Sequence, residues 1–330
     1  MENKHVVKAA NLDKIRRILF KYGSATKAKL ANESDISTVT VNGLVKELVD
    51  AGEFIGGELI HPKIGRPSVH YHFNYDLEHY LFISIQETAG KLHIVAQIAN
   101  MRGDVKQTRN QSMEIVKIGA VMDVVAEMLA QKLPITNIAI SIPGKKIGSE
   151  IAVSWHDALN GWDLESEIGE RFGIPVRIEN DANLATVGYC KEVAIPDREY
   201  VVGIYYLPMS MPGASLFHNN GIFRGQDGLA GEIRYLPQLI GQMLPRSFEE
   251  SAQNLMEILC IYNSLLAPHT FVIHMEGLSQ QALEKMILEN DVLKEQPNKP
   301  KFHCAASFDK DVMAGLQWLA MSHLAFMNLK

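Results

Sequence analysis

Few stretches limit the folding of this chain as tightly as the apolar run Ile174 to Ile178. It ends in Glu179-Asn180-Asp181-Ala182-Asn183 and gives way to the helix-like segment Leu184 to Cys190. A strand that hands over directly to a helix is the repeating unit of a layered α/β protein. The junction also holds two short polar side chains at the mouth of a cleft. A carboxylate there can accept a hydroxyl proton, and the amide beside it can donate to and accept from a second hydroxyl. Asn and Asp are equally the residues that best satisfy the free N–H groups of a helix start. Spacing alone leaves both roles open.

From Tyr80 onward the alternation continues. Strand-like runs at Leu81 to Ile85, Leu92 to Ile98 and Val105 to Ser112 precede a helix from Ile118 to Lys132. A strand from Ile135 to Ile142 follows and stops at Pro143-Gly144, and the helix Leu164 to Phe172 leads back to the junction. A second series has strands at Tyr200 to Tyr206, Ser215 to His218 and Phe271 to His274. Its helices are Phe248 to Leu266, Ser279 to Glu289 and Lys310 to Leu324, with Lys294 to Lys301 as a polar surface loop. This pattern predicts an α/β body. Two similar successive halves predict two lobes, 76–199 and 200–330, with a small-molecule site between them. Helices of the second lobe are the expected dimerisation elements.

A chain of 330 residues exceeds one ordinary core, and 47% hydrophobic with 21% charged residues describes a globular protein. No run reaches the roughly 18 apolar residues of a membrane helix, and the N-terminus carries no signal-peptide pattern. Cys190, Cys260 and Cys304 lie far apart, which argues against a disulfide framework or a Cys-based zinc site. A cytoplasmic protein with no membrane partner is expected. Charge is uneven. Through Tyr75 there are 11 Lys and Arg against 8 Asp and Glu, a net of +3, so the remainder must carry −9 to reach the overall −6. A basic head on an acidic body points to a polyanion met by the head.

Residues 1–75 read as that head. Asn11 can cap a helix with Leu12, Ile15, Ile18 and Leu19 at helical spacing, closed by Gly23. A short helix runs from about Thr26, and Asp35-Ile36-Ser37 turns into a third helix that Ser37 caps and that reaches about Ala51. In it Val41, Leu44, Val45 and Leu48 form one apolar stripe, while Thr40, Asn42, Gly43 and Lys46 point away. Two strands, Phe54 to Leu59 and Val69 to Phe73, flank Gly65-Arg66-Pro67. The pattern is that of a winged helix-turn-helix. Thr38, Thr40, Asn42 and Lys46 are the candidates for the major groove and its phosphates, and Arg66 for the minor groove.

The order of motifs adds a resemblance. Ser141-Ile142-Pro143-Gly144, Asn160-Gly161-Trp162, Ile174-Pro175-Val176 running into Glu179-Asn180-Asp181-Ala182-Asn183, and Gly228-Leu229-Ala230-Gly231-Glu232-Ile233 follow the helix-turn-helix. Together they resemble the ROK family of repressors and sugar kinases, and its repressor branch in particular. The resemblance implies an actin-like (ribonuclease-H-like) two-lobed body holding a sugar in the cleft. In its kinase members the Asp matching Asp181 is the catalytic base, and residues matching Asn180 and Glu232 hold sugar hydroxyls.

Several family features are missing. The first phosphate loop is replaced by Ser84-Ile85-Gln86-Glu87-Thr88-Ala89-Gly90, and the second by Leu207-Pro208-Met209-Ser210-Met211-Pro212-Gly213, whose prolines lack N–H donors. The adenosine turn is reduced to His274-Met275-Glu276-Gly277. Tyr235 stands where zinc-bearing members place a histidine, and Leu236 to Ser247 holds no cysteine. The resemblance so amended implies no catalytic residue, no metal ion, no cofactor and no enzyme. It implies a sugar-responsive regulator, most simply a repressor, acting as a homodimer or homotetramer on operator DNA. Asn160, Gly161, Asn180, Asp181, Glu232 and Tyr235 are the candidates to face a sugar or sugar derivative. A constitutive DNA-binding protein and, last, a sugar kinase are the alternatives.

Overall fold

The computed structural model describes residues 2–60, 68–88, 91–154, 156–206, 211–237, 239 and 243–327. They form two compact units, one of residues 1–79, 100–104 and 321–330, the other of residues 80–99 and 105–320.

The first unit opens with α1 (Glu2–Tyr22), β1 (Ser24–Thr26), α2 (Lys27–Ser34) and α3 (Thr38–Asp50), followed by β2 (Phe54–Ile60) and β3 (Ser68–Phe73). The helix expected to begin at Asn11 already begins at Glu2. Residues 2–10 contain no glycine or proline, and an interior Asn costs a helix only a few tenths of a kcal/mol. The other two helices start where their caps predict: Thr26 accepts from the Lys29 N–H and Ser37 from the Thr40 N–H. Ile15, Leu19, Leu30, Val41, Leu44, Val45, Leu48 and Phe54 make the core, each at most 5% exposed. β2 and β3 pair antiparallel, and the short β1, which has no legible periodicity, adds to β3. The C-terminal end of the chain belongs to this unit. Phe326 is buried, with its ring centroid 5.7 Å from Phe20 and 6.0 Å from Phe73.

The second unit contains two five-stranded sheets. The first has β4 (His79–Thr88), β5 (Lys91–Asn100), β6 (Val105–Ser112), β7 (Ile135–Ile142) and β10 (Val176–Asn180). Between them come α4 (Ile118–Leu129), the hairpin β8 (Gly144–Ile147) and β9 (Glu150–Ser154), and α5 (Leu164–Phe172). α6 (Asp181–Glu192) then leads to the second sheet: β11 (Val201–Tyr206), β12 (Gly213–His218), β13 (Gly221–Ile222), β14 (Thr270–Met275) and β15 (Lys301–Cys304). The helices α7 (Phe248–Leu266), α8 (Gln280–Glu289), α9 (Asp291–Glu295) and α10 (Phe308–Met321) complete it. Both sheets have the same order. An up-and-down trio (β6-β5-β4 or β13-β12-β11) continues into two further strands (β7-β10 or β14-β15). The interior strands β7 and β14 are largely buried on both faces, as strands covered by helices must be, whereas the edge strand β6 alternates exposed polar residues.

Three expectations need correction. The strand before the junction runs to Asn180 and the helix starts at Asp181, so no loop separates them. α4 ends at Leu129 rather than Lys132, which takes a left-handed φ of 57°. The stretch Lys294 to Lys301 is not all loop: α9 reaches Glu295, capped by Asn290, and Lys301 opens β15. Among the described residues no helix is long and apolar enough to cross a membrane.

Candidate functional site

β10 delivers Asn180 with strand geometry (φ −64°, ψ 140°), and the next residue is already helical. Asn180 caps α6: its Oδ1 accepts from the Asn183 N–H at 3.2 Å. Its Nδ2 donates to the Gly144 carbonyl at 3.0 Å and to Asp181 Oδ1 at 2.9 Å. The two roles left open by spacing are therefore not exclusive. The cap fixes the amide, and the amide in turn aims the carboxylate. Asp181 Oδ1 also accepts the Ala182 N–H at 2.8 Å. Burial pushes the Asp181 carboxyl up to about 6, opposed by the Ala182 N–H, the charge of Lys145 and the Asn180 amide.

Lys145, 6% exposed on β8, sits between the candidate carboxylates. Its Nζ lies 3.4 Å from the Ala230 carbonyl and 3.9 Å from Glu232 Oε1, and its charge reaches Asp181. Glu232 is held in place by Gly231. At φ +88°, a Cβ on Gly231 would stand 1.9 Å from the Ala214 carbonyl oxygen, so only glycine lets this turn lie against β12. Arg234 Nε is 3.3 Å from Glu232 Oε2, and burial together with Glu232 raises the Tyr262 phenol to about 12. Asp181 and Glu232, some fifty positions apart in sequence, thus both interact with one ammonium group.

The other candidates stand further off. Asn160 is exposed, and its Oδ1 accepts from the Ser154 N–H at 3.1 Å, which ties its turn to the hairpin that carries Lys145. Gly161 takes a φ of +86° in that turn and donates to the Ile151 carbonyl, while Trp162 packs on the first core. Tyr235 is 61% exposed and meets the Arg234 guanidinium with its ring. On α3, Thr38, Thr40, Asn42 and Lys46 are all exposed, and Thr40 Oγ1 lies 2.9 Å from the capping Ser37 hydroxyl. Arg66, with the rest of residues 61–67, lies outside the described residues.

Comparison with known proteins places this geometry. Residues 87–237 match the sequence profile of the ROK family. The chain carries a ROK family domain. It is similar to a xylose repressor of Caldicellulosiruptor bescii, 25% identical over 249 residues that cover 71% of this chain and 60% of that protein. The chain thus spans about 60% of the length of the curated relatives it matches. Among solved structures it resembles a ROK family transcriptional regulator described as a homolog of the E. coli MLC protein. That likeness has a TM-score of 0.69 at 17% identity and covers 96% of each chain. It also resembles a ROK hexokinase from Thermus thermophilus, at TM-score 0.59 and 14% identity, over 74% of this chain and 99% of that one. These structural likenesses carry the α/β fold.

Beyond Asp181 lies a group of aromatic and paired side chains, drawn in part from residues after the matched stretch. Tyr205, at the end of β11, stacks on Phe308 with ring centroids 3.9 Å apart. Burial, with the charges of Asp181 and Asp309, raises the Tyr205 phenol well above its ordinary value. Behind it His274 Nε2 and Asp311 Oδ2 are 2.7 Å apart, both buried, and Gln86 donates to Asp309 at 3.2 Å. Of the replaced phosphate loops, Gln86 and Glu87 lie within β4, residues 89–90 and 207–210 lie outside the described residues, and Gly213 opens β12.

Sequence reasoning missed Lys145, the Glu179–Arg224 pair and the Tyr205–Phe308 stack. Lys145-Lys146 reads as a solvated charge pair. Strand alternation separates the two, sending Lys146 to Glu165 and Lys145 inward. Glu179, 9% exposed, accepts from the Asn180 N–H and the Asn183 amide on one oxygen and from Arg224 on the other.

Proposed function

We propose that this protein is a sugar-responsive transcriptional repressor whose ROK domain senses and does not catalyse. The observation that carries the reading is the asymmetry around Asp181. On one side lie Asn180 and Glu232, polar groups suited to sugar hydroxyls. On the other, Tyr205 stacks on Phe308 and His274 pairs with Asp311, rings and engaged groups in place of the free donors that phosphoryl transfer asks for around a phosphate and its metal. The first unit supports the other half of the reading. Its three helices and antiparallel hairpin fit a winged helix-turn-helix, with Thr38, Asn42 and Lys46 on the exposed side of α3. The likeness to proteins named as xylose repressors agrees with both halves.

In this reading the protein works in the cytoplasm as a homodimer or homotetramer, with two heads on a palindromic operator. A sugar or sugar derivative held by Asn180, Asp181 and Glu232 shifts the balance between forms that do and do not hold DNA. A thermal-shift screen of the full chain against sugars and sugar derivatives, with Mg-ATP as a separate arm, tests the reading. A sugar that raises the midpoint for the wild type but not for Asp181→Ala, with no response to Mg-ATP, supports it. Sugar turnover with ATP overturns it.

One observation favours a second reading, a constitutive DNA-binding regulator. The Lys145 ammonium already stands where it can satisfy Asp181 and Glu232. Silence across the sugar panel, joined to sequence-specific DNA binding, selects that reading.

A further inference from the structure

The exposed side of α3 contains two residues that the head's own packing does not explain. The helix buries Val41, Leu44, Val45 and Leu48. On the opposite side Val39, Asn42, Gly43 and Lys46 follow one another at i, i+3, i+4 and i+7, the spacing of a single face. Val39 is 82% exposed, a branched apolar side chain in the first turn of a helix and away from any core. Gly43 sits in mid-helix, where glycine is the least favoured residue after proline. Its backbone has no positive φ, and a Cβ placed there meets nothing within 4 Å. Neither conformation nor internal packing asks for glycine at that position.

A glycine that weakens its helix without serving the interior makes sense where an outside surface comes close to the backbone. The face supplies the character of that surface. It has no acidic residue, ends in Lys46, and among the described residues neither Asn42 nor Lys46 is engaged in a hydrogen bond or ion pair. The nearest carboxylate on the helix, Glu47, points to Lys8 at 2.7 Å. This suits a polyanion with apolar features in its groove. The 5-methyl of thymine is such a feature, and it projects into the major groove.

We propose that Val39 and Gly43 are the specificity and seating residues of α3. The Val39 methyls contact a thymine 5-methyl, and the bare backbone at Gly43 lets the helix approach the base edges. The proposal rests on the regulator reading above. It adds two residues to the polar ones, and it assigns the apolar member of the face a defined chemical target.

The test uses the full chain and a pool of randomised DNA duplexes at near-physiological salt. The wild type should enrich a motif containing a fixed thymine. Replacing that thymine by deoxyuridine removes the methyl and leaves every hydrogen-bonding group. Wild-type affinity should then fall about fourfold, the value of one buried methyl, while Val39→Ala should bind the two duplexes equally. Gly43→Ala should melt at or above the wild-type temperature yet bind the enriched duplex at least about tenfold more weakly, by loss of close approach. If Val39→Ala keeps the full deoxyuridine penalty at every thymine of the motif, or Gly43→Ala binds as the wild type does, the assignment of that residue is wrong. Absence of any enriched motif for the wild type overturns the regulator reading itself, and the proposal with it.

Discussion

The Arg224 guanidinium holds one oxygen of Glu179 through Nε at 3.0 Å and Nη2 at 2.6 Å. The carboxylate is 9% exposed and the arginine side chain about half exposed. The pair ties the loop after β13 to the end of strand β10, one residue before the candidate effector amide. Arg224→Ala leaves a buried carboxylate with only its neutral donors. Stability should fall by about 1–2 kcal/mol, less than a fully buried pair because solvent screens the arginine. Urea unfolding checks the figure, and Glu179→Gln, which keeps a hydrogen-bond acceptor, should restore part of the loss in the Arg224→Ala background.

Asp181 gives a pH signature of opposite sign to a salt-bridged carboxylate. Burial holds its carboxyl at about 6, above the ordinary 3.8, so the folded state binds the proton more tightly than the unfolded state. That contribution is fully present below pH 4 and is lost as pH rises through about 6. Asp181→Asn should therefore gain on the wild type across this window, by about 3 kcal/mol once the pH is above about 6, and keep that lead. Effector binding should move the other way. The ionised carboxylate is the hydroxyl acceptor, so affinity should rise through pH 6 in the wild type and stay flat in Asp181→Asn. Denaturation midpoints and sugar titrations at matched pH values measure the two trends.

Gly231 is the backbone constraint on which Glu232 depends. Gly231→Ala puts a Cβ against the Ala214 carbonyl in a left-handed conformation. The cost should be about 3 kcal/mol or more from strain and overpacking together. Calorimetry should show a depressed midpoint, and any ligand-dependent shift should disappear. A ligand shift of wild-type size would remove Glu232 from the site.

The C-terminal residues should behave as part of the head. Phe326→Ala opens a hole among Phe20, Phe73 and Tyr75, whose hydroxyl donates to the Phe20 carbonyl. A loss of about 3–4 kcal/mol is expected for a buried aromatic. Hydrogen exchange should locate the loosening in α1 and β3. Loosening confined to residues 308–321 would contradict the packing.

Where local chemistry and tertiary demand agree, the sequence was easy to read. β7, α5 and α7 have the bounds their periodicity predicts, because Asp163 and Ser247 cap the two helices and Gly173 ends the first. The candidate site was partly legible for the same reason, since Asn180 and Asp181 carry their chemistry in their side-chain types. Lys145 was not legible. Its burial depends on the β8–β9 hairpin, whose register is set by a bulge between Lys145 and Lys146 rather than by an apolar pattern. Phe326 was hidden differently: its partners Phe20 and Phe73 lie more than two hundred positions away, and nothing in a short C-terminal segment names them.

In the proposed regulator, sugar recognition at Asp181 is coupled to DNA release. Fluorescence anisotropy of a labelled duplex, taken from the selection described above and titrated with each sugar at pH 7.5, tests it most directly. One sugar should lower the apparent DNA affinity of the wild type at least tenfold, which requires about 1.4 kcal/mol of preference for one form, and should leave Asp181→Ala bound. DNA occupancy that stays constant across the whole sugar panel would contradict the account.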